Sequence, residues 1–186
     1  MGADYQMQND EELMLAVGSG HAEALAELVE RYHARMYAYV HRNLQGHHLS
    51  EDITQECFVR LLAAAGQYEY PRPFRPWLYT IAHNLCRSLG RSASFRLDAP
   101  LQAPDDLVGA NDTEQEVMDH AQRDEVQAAL DLLSPDHREV ILLRFFEDMK
   151  LHDIAEVMVL PVGTVKSRLF YAVKALRERM EAHEHG

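Results

Sequence analysis

Residues 151–177 read LHDIAEVMVLPVGTVKSRLFYAVKALR. Their first eight positions predict a short helix, and Pro161 predicts a break shortly after it. Beyond the break, Val165, Leu169 and Val173 recur at helical spacing and predict the buried side of a longer basic helix. A short helix, a tight turn and a longer basic helix form the layout of a helix-turn-helix, whose second helix enters the DNA major groove.

The rest of the chain shows the same three- and four-residue spacing of apolar side chains and no run of period two, which predicts an all-α fold. Ser50 is predicted to cap a helix that ends at Gly66, and Pro76 lies early in a further helix. Ser134 followed by Pro135 predicts the cap and first turn of a helix in the second half of the chain. Pro100 and Pro104, in an acidic stretch without periodicity, predict a flexible linker. We therefore expect an acidic N-terminal segment at residues 1–20 and a first small helical domain at residues 21–92. A linker at 93–113 connects it to a second small helical domain at 114–182, which contains the helix-turn-helix.

The composition places the chain among globular proteins. Hydrophobic residues make up 47% of its 186 residues, which is enough to bury real cores. No apolar run approaches the roughly 20 residues of a membrane span, and the N-terminus lacks the layout of a signal peptide. Two cysteines exclude a disulfide scaffold and fit a reducing compartment. We therefore expect a cytoplasmic protein without membrane insertion.

The net charge of -12 is unevenly distributed along the chain. Taken alone, this average argues against a nucleic-acid partner. However, five arginines and no acid lie between Tyr70 and Leu97, and four basic residues and no acid lie between Val157 and Arg177. Local positive potential of this kind is what polyanion binding requires, so these two basic segments are candidate nucleic-acid surfaces.

Three motifs, in this order and spacing, carry a resemblance to a known family: LSEDITQECF at 49–58, FRPWLYTIAHN at 74–84, and DIAE at 153–156 leading to PVGTVKSR at 161–168. Across residues 22–180 the chain resembles the extracytoplasmic-function group of bacterial sigma factors, the promoter-specificity subunits of RNA polymerase. The resemblance implies three partners: core RNA polymerase through its β′ and β subunits, promoter DNA, and an anti-sigma factor that covers polymerase-binding surfaces.

The first motif implies a docking helix for the coiled coil of the polymerase β′ subunit. A helical wheel places a compact, mostly acidic cluster on the side of this helix opposite its apolar arc, which includes Leu61 and Leu62 and is predicted to be buried. For an isolated acidic helix, a solvated face is the alternative interpretation. The candidate polymerase-binding residues are Asp52, Gln55, Glu56 and Val59.

The second motif implies the element that opens the promoter and captures the non-template strand of the minus-10 element. Single-strand capture needs cations for phosphates, planar groups for stacking and polar side chains that read splayed bases. Trp77 falls within the apolar stripe of this helix and is predicted to be a core residue. The candidate minus-10 residues are Tyr70, Arg72, Arg75, Thr80, His83, Asn84, Arg87 and Arg91.

The third motif implies reading of the minus-35 element as duplex DNA, through side chains that hydrogen-bond base edges, touch a thymine methyl or neutralise phosphates. The chain departs from the family at three positions. Val159 replaces a glycine or small polar residue in the turn, Tyr171 replaces a frequent basic residue, and Lys150 replaces a frequent serine at a helix start. A β-branched residue resists positive φ, so Val159 predicts a strained or reshaped turn. The candidate minus-35 residues are Thr164, Lys166, Ser167, Arg168, Phe170, Tyr171 and Lys174.

Two other functions are open to such a chain. A helix-turn-helix regulator with a helical sensing or dimerisation domain would bind duplex DNA as a dimer and without polymerase. The eleven histidines suggest a metal site, but His47 and His48 are adjacent, and no C-x-x-C or H-x-x-x-H spacing occurs. No phosphate-binding loop or nucleophile motif is present either. We therefore expect no metal, no cofactor and no catalytic residue.

Overall fold

The computed structural model describes residues 5–91 and 125–184, and within those ranges the ordered elements are all helical. The predicted linker at 93–113 lies outside the described residues, as does the beginning of the helical pattern predicted from residue 114. The all-α prediction is confirmed, as is the arrangement in two helical domains, each containing one of the two basic segments. The first domain contains a 3-10 turn and four helices: Tyr5–Met7, then α1 (Asp10–Gly18), α2 (Ala22–Asn43), α3 (Ser50–Ala63) and α4 (Phe74–Arg91).

Helix α1 packs on α2 and α4 as part of the first domain, whereas the acidic composition predicted a separate segment at residues 1–20. A capping box begins the helix. The Asn9 side chain accepts from the backbone N–H of Glu12 at 2.8 Å, and the Glu12 carboxylate accepts from the backbone N–H of Asn9 at 3.2 Å. The apolar side of α1, including Leu13 and Met14, is fully buried. Its Glu11 carboxylate accepts from the backbone N–H of Phe74 at 3.0 Å. Helix α1 therefore holds the beginning of α4 in place.

Helix α3 begins one residue earlier than the cap prediction implies. Leu49 occupies the N-cap position, and Ser50 is already helical and buried. The Ser50 hydroxyl donates to the backbone oxygen of His47 at 2.6 Å, so it satisfies the preceding turn and does not cap the helix. The helix ends at Ala63, and a 3-10 turn at Ala65–Gln67 carries the chain past it.

The second domain contains the helix-turn-helix. Its described part begins with helical residues 125–131, called α5, followed by α6 (Pro135–Ile141), a π-helical turn (Leu142–Phe146), α7 (Leu151–Met158) and α8 (Val162–Glu184). Ser134 caps α6 as predicted, with Pro135 in the first turn and the His137 amide 3.4 Å from the Ser134 hydroxyl. Helices α7 and α8 form the predicted pair of the helix-turn-helix.

Val159 adopts a left-handed backbone conformation in the turn between α7 and α8, with φ 53° and ψ 51°. The Leu160 amide reaches back to the Ala155 oxygen at 2.9 Å, the bond that closes a helix whose terminal residue is left-handed. The Val159 side chain is 77% exposed and gains little from packing. The turn therefore has the shape that glycine normally provides, with a β-branched residue in it.

The two domains pack against each other: α4 lies on α7, and α2 contacts both α6 and the π-helical turn. The buried Arg138 guanidinium joins them, since it donates to the oxygen of Leu133 at 3.0 Å and to that of Asn43, at the end of α2, at 2.9 Å. Tyr39 and Tyr79 of the first domain lie edge-on at 5.1 Å between ring centroids, and their hydroxyls donate to Glu139 and Glu147 of the second domain. A polar and aromatic interface thus connects residues that lie about 60 to 100 positions apart in sequence.

Candidate polymerase and promoter interfaces

The candidate polymerase-binding residues form one accessible surface on α3. Asp52, Gln55 and Val59 are exposed, and Glu56 is about half exposed and accepts from Arg60 at 2.7 Å. Leu62, which the helical wheel assigned to the buried arc, is 51% exposed. The apolar arc was therefore drawn one residue too wide, because the neighbouring elements cover α3 only as far as Leu61. The resulting surface is acidic at one end and apolar at the other.

The candidate minus-10 residues divide between two faces of α4. Tyr70 and Asn84 are exposed, and Thr80, whose hydroxyl donates to the Pro76 oxygen at 2.8 Å, is half-buried. Asn84 lies at the edge of an open hollow of about 370 Å³ between the end of α3 and α4. Gln67 and Ile81 line the same hollow. Neither was a candidate from the sequence, because their spacing resembles that of turn and core residues. This hollow is concave, accessible and bordered by an amide, which suits a splayed base.

The other face of α4 is turned towards the second domain. His83, expected to meet a base, is only 4% exposed, and its Nδ1 lies 2.6 Å from the Glu139 carboxylate. Arg75 donates to the backbone oxygen of Glu147, while Arg72 and Arg87 face other acids of the second domain. Sequence periodicity could not distinguish this face from the open one, because both are polar.

Burial shapes the protonation of the groups between the domains. It raises the pKa of Glu147 above its ordinary value, an effect that the Tyr79 hydroxyl and the guanidinium groups of Arg35 and Arg75 oppose. Burial also raises the pKa of Tyr79 well above its ordinary value, with the Glu147 charge adding to the effect. Tyr79 therefore stays neutral and donates its hydrogen bond to the Glu147 carboxylate.

Helix α8 presents most of the candidate minus-35 residues to solvent. Lys166, Ser167 and Lys174 are exposed, and Phe170 and Tyr171 are more than half exposed, with their rings edge-on at 5.4 Å. Thr164 and Arg168 are half-buried, and Arg168 is paired with Asp136 at 2.9 Å. The buried side contains Val165 and Ala172, with Leu169 and Val173 partly buried. Helix α8 thus exposes a row of cationic, hydroxyl and aromatic groups of the kind that reads a major groove.

An apolar groove on the second domain was not anticipated from the sequence. Its volume is about 590 Å³, and its walls are almost entirely apolar. Phe145 and Phe146 of the π-helical turn border it, and Phe145 is 60% exposed. The groove is lined by Glu125, Val126, Ala129, Leu130, Ile141, Phe145, Phe146, Val173 and Leu176.

Comparison with known proteins decides the family. The profile of sigma-70 region 2 matches residues 28–96, and that of sigma-70 region 4 matches residues 129–178. The ECF RNA polymerase sigma factor SigW of Bacillus subtilis is 31% identical over 176 residues, covering 88% of this chain and 92% of its own length. The chain belongs to the extracytoplasmic-function sigma factors. The RNA polymerase sigma-H factor of Pseudomonas aeruginosa is also 31% identical, with coverage of 94% of this sigma factor and 95% of its own chain.

Solved structures agree with this assignment of the sigma factor. CnrH in complex with the cytosolic domain of CnrY superimposes with a TM-score of 0.71 at 25% identity, over 94% of this chain and 99% of that one. The fold is also shared with the sigma factor RpoE of Bartonella quintana in complex with the anti-sigma factor NepR. That pair has a TM-score of 0.65 at 21% identity, over 84% of this chain and 96% of the other.

Family membership establishes the activity. Sigma factors are transcription initiation factors, and this sigma factor binds core RNA polymerase and directs promoter-specific initiation. A simple helix-turn-helix regulator would lack the region 2 module that covers most of the first domain. In residues 5–91 and 125–184 of this sigma factor, no three histidine, cysteine or carboxylate side chains are grouped as metal ligands. The same two ranges contain no helix that is both long and apolar enough to cross a bilayer.

Proposed function

We propose that the three surfaces divide the work of initiation. The α3 surface around Asp52 and Val59 docks on the polymerase β′ subunit, α4 opens the minus-10 element, and α8 reads the minus-35 element. The first functional domain is residues 21–92, to which α1 is joined, and the second is residues 114–182. The observation that carries the proposal is that α3, the edge of α4 at Asn84, and α8 each expose side chains with the chemistry their tasks require, on two domains of one chain.

The minus-10 step needs a reader of unstacked bases and partners for phosphates. Asn84, at the edge of the open hollow, is assigned the first role, with Tyr70 as a stacking surface. Arg72, Arg75, Arg87 and Arg91 are assigned phosphates. Thr80 lies beside the reading position, and His83 belongs to the face of α4 that the second domain covers. In α8, Lys166, Ser167 and Phe170 read bases, while Lys174 and Arg168 meet phosphates, and Thr164 and Tyr171 border the contact.

The proposed setting is a signal response in the cytoplasm, controlled by an anti-sigma factor. Two solved relatives support this, because CnrH is described with the cytosolic domain of CnrY and RpoE with the anti-sigma factor NepR. The chain itself acts without a cofactor and without catalytic chemistry. A protein that co-purifies with this chain and blocks its run-off transcription would identify the anti-sigma factor, whereas a co-purifying protein that leaves transcription unchanged would not be one.

Run-off transcription on a promoter library tests the core of the proposal. Core polymerase together with the chain is expected to yield specific transcripts that neither component yields alone. The selected promoters should share two conserved blocks, one for each DNA-binding domain. Selection of a single block would contradict the division of work between α4 and α8.

A further inference from the structure

The stretch of chain that carries Tyr70 is attached to helix α1 at both of its ends. This stretch, residues 65–74, contains the 3-10 turn after α3 and the loop before α4, and is called the minus-10 segment. Tyr70 is 52% exposed on it, and Gln67 lines the hollow beside Asn84. The shape of the proposed minus-10 site therefore depends on where this segment lies.

The far end of the minus-10 segment meets Glu11, in the first turn of α1. The Glu11 carboxylate accepts from the backbone N–H of Phe74, the first residue of α4, at 3.0 Å. Pro73, directly before Phe74, has no side-chain oxygen with which to cap the helix. A carboxylate at a helix N-terminus satisfies a free N–H and interacts favourably with the helix dipole. Glu11 thus caps α4 from a different helix.

The near end of the minus-10 segment meets Gly18, the last residue of α1. A Cβ atom at position 18 would lie 3.0 Å from the backbone oxygen of Ala65, a closer approach than most Cβ atoms make. Glycine therefore lets the end of α1 lie directly against the 3-10 turn that begins the segment. The two contacts lie near opposite ends of a nine-residue helix, so α1 spans the segment from one end to the other.

Helix α1 is itself fixed on α2. Asp10, next to Glu11, accepts from the Arg31 guanidinium at 2.9 Å and from the Tyr32 hydroxyl. Burial, and then the hydrogen bond to Asp10, raises the pKa of Tyr32 above its ordinary value, so its hydroxyl remains a donor. The Tyr32 ring also lies edge-on to Phe74 at 5.4 Å between centroids. One residue of α2 therefore contacts both α1 and the beginning of α4.

We propose that α1 is a brace for the minus-10 segment, with Glu11 and Gly18 as positioning residues of single-strand capture. With both ends of the segment fixed, Tyr70 keeps its place relative to Asn84 and needs no ordering when a base binds. When one end is released, the apparent dissociation constant for DNA rises as the binding-competent fraction falls. The inference rests on the proposed role of Tyr70 and Asn84 in minus-10 capture.

Three variants at adjacent positions test the brace. Glu11→Ala removes the acceptor for the Phe74 N–H, and Glu11→Gln keeps an uncharged acceptor. Glu12→Ala is the matched control, because Glu12 is exposed and its carboxylate accepts from the Asn9 N–H in the capping box. This control weakens the beginning of α1 and leaves the bond between Glu11 and Phe74 in place.

The probe is a labelled single-stranded oligonucleotide with the non-template minus-10 sequence of a promoter selected by run-off transcription. Binding by the polymerase holoenzyme is measured at a temperature at which all variants are folded. Glu11→Ala is expected to weaken binding about fivefold, the loss that removal of one helix cap allows. Glu11→Gln should recover most of this loss, and Glu12→Ala should bind like the wild type. Equal losses in Glu11→Ala and Glu12→Ala, or no loss in Glu11→Ala, would overturn the proposal.

A double-mutant cycle with Tyr70 distinguishes positioning from a general loosening of the first domain. If Glu11 acts by keeping Tyr70 in place, Glu11→Ala should cost little further affinity once Tyr70→Ala has removed the ring. The affinity for a minus-35 duplex, which the second domain reads, should stay unchanged throughout the cycle. Additive losses would show that Glu11 acts by another route, and the brace would be rejected.

Gly18→Ala tests the other end of the brace. The added methyl group displaces the turn at Ala65 and is expected to weaken oligonucleotide binding about fivefold, at the lower end of what overpacking costs. Gly90→Ala is the matched control, because a Cβ atom there, near the end of α4, meets open space. Equal affinities of these two variants would show that the contact with the turn does not position the segment, and the two-ended brace would be rejected.

Tyr70→Ala and Asn84→Ala separate this proposal from the function on which it rests. If these two variants weaken oligonucleotide binding while Glu11→Ala and Gly18→Ala do not, the brace fails and the minus-10 role of the first domain stands. If Tyr70→Ala and Asn84→Ala also leave binding unchanged, the assignment of this site to minus-10 capture fails, and the brace fails with it.

Discussion

Val159 is the residue whose local conformation most clearly disagrees with its chemistry. Its left-handed backbone and 77% exposure combine a conformational cost with little packing gain. Val159→Gly is therefore expected to raise the free energy of unfolding by about 1 kcal/mol, measured by urea titration. Val59→Gly, at an exposed position inside α3, should instead lower it by about 0.5 kcal/mol. A loss of stability at both positions would show that the turn is not strained.

Asn84 carries the residue-level prediction for promoter opening. Its amide is accessible at the edge of the hollow beside Ile81, so Asn84→Ala removes hydrogen-bonding groups without disturbing the core. The holoenzyme variant is expected to lose about 1 to 3 kcal/mol of binding to a single-stranded minus-10 oligonucleotide at one base position, with slower open-complex formation. Arg91→Ala should weaken binding to every sequence alike and reduce its salt dependence. Base-independent loss in Asn84→Ala would reduce its role to that of a solvated polar residue.

At the scale of elements, the accessible charges on α3 predict how charge reversal changes the affinity for core polymerase. Asp52→Lys/Glu56→Lys reverses two accessible charges and is expected to weaken core binding by about tenfold or more, measured by titration of labelled chain. Glu56 is paired with Arg60 across an exposed helix turn, and Asp52 lies in the first turn of α3. The free energy of unfolding should therefore fall by no more than about 1 kcal/mol.

The matched control for α3 is Glu23→Lys/Glu30→Lys on α2. It makes the same change in net charge at exposed positions outside the proposed surface. Core affinity should be close to wild type in this control. If both variants lose affinity equally, overall charge and not the α3 surface governs polymerase binding.

Helix α8 makes a second prediction at this scale. Lys166→Ala, Ser167→Ala and Phe170→Ala in the holoenzyme should each cost about 1 to 3 kcal/mol at particular minus-35 positions. Lys174→Ala should weaken binding uniformly and lower the salt slope, as a phosphate contact does. Binding to a set of singly substituted minus-35 duplexes measures both. Uniform loss in all four variants would mean that α8 binds phosphates without reading bases.

At the scale of the whole molecule, Arg138 connects the domains. Its guanidinium is 3% exposed and is hydrogen-bonded to carbonyl oxygens at the ends of α2 and α5. Arg138→Met keeps most of the volume but leaves these oxygens unsatisfied, with an expected loss of about 2–4 kcal/mol. The wild-type chain should unfold in one transition, and the variant in two, because the domains no longer stabilise each other.

Calorimetry together with tryptophan fluorescence measures this coupling, since Trp77 reports on the first domain alone. Arg60→Met is the control, because Arg60 forms only an exposed pair with Glu56 and should change stability by less than about 0.5 kcal/mol. A single, unshifted transition in Arg138→Met would mean that the interdomain hydrogen bonds contribute no measurable coupling.

The amino-acid sequence by itself determined the helical class, the helix-turn-helix, the Ser134–Pro135 cap and the two basic segments. These features depend on local spacing, capping and composition, and each is encoded in one continuous stretch of sequence. The positive φ of Val159 could also be anticipated from the sequence, because the residue that ends a helix before so short a turn commonly adopts it.

Only the tertiary structure decided which polar side chains are exposed to solvent. His83 and Asn84 are neighbours in sequence with equally polar side chains, yet His83 is buried against Glu139 and Asn84 faces solvent. The exposure of Leu62 and Phe145 and the place of α1 in the first domain were settled in the same way. The physical reason is that burial depends on contacts between residues far apart in the chain. A helical pattern defines the faces of a helix but not which other element covers each face.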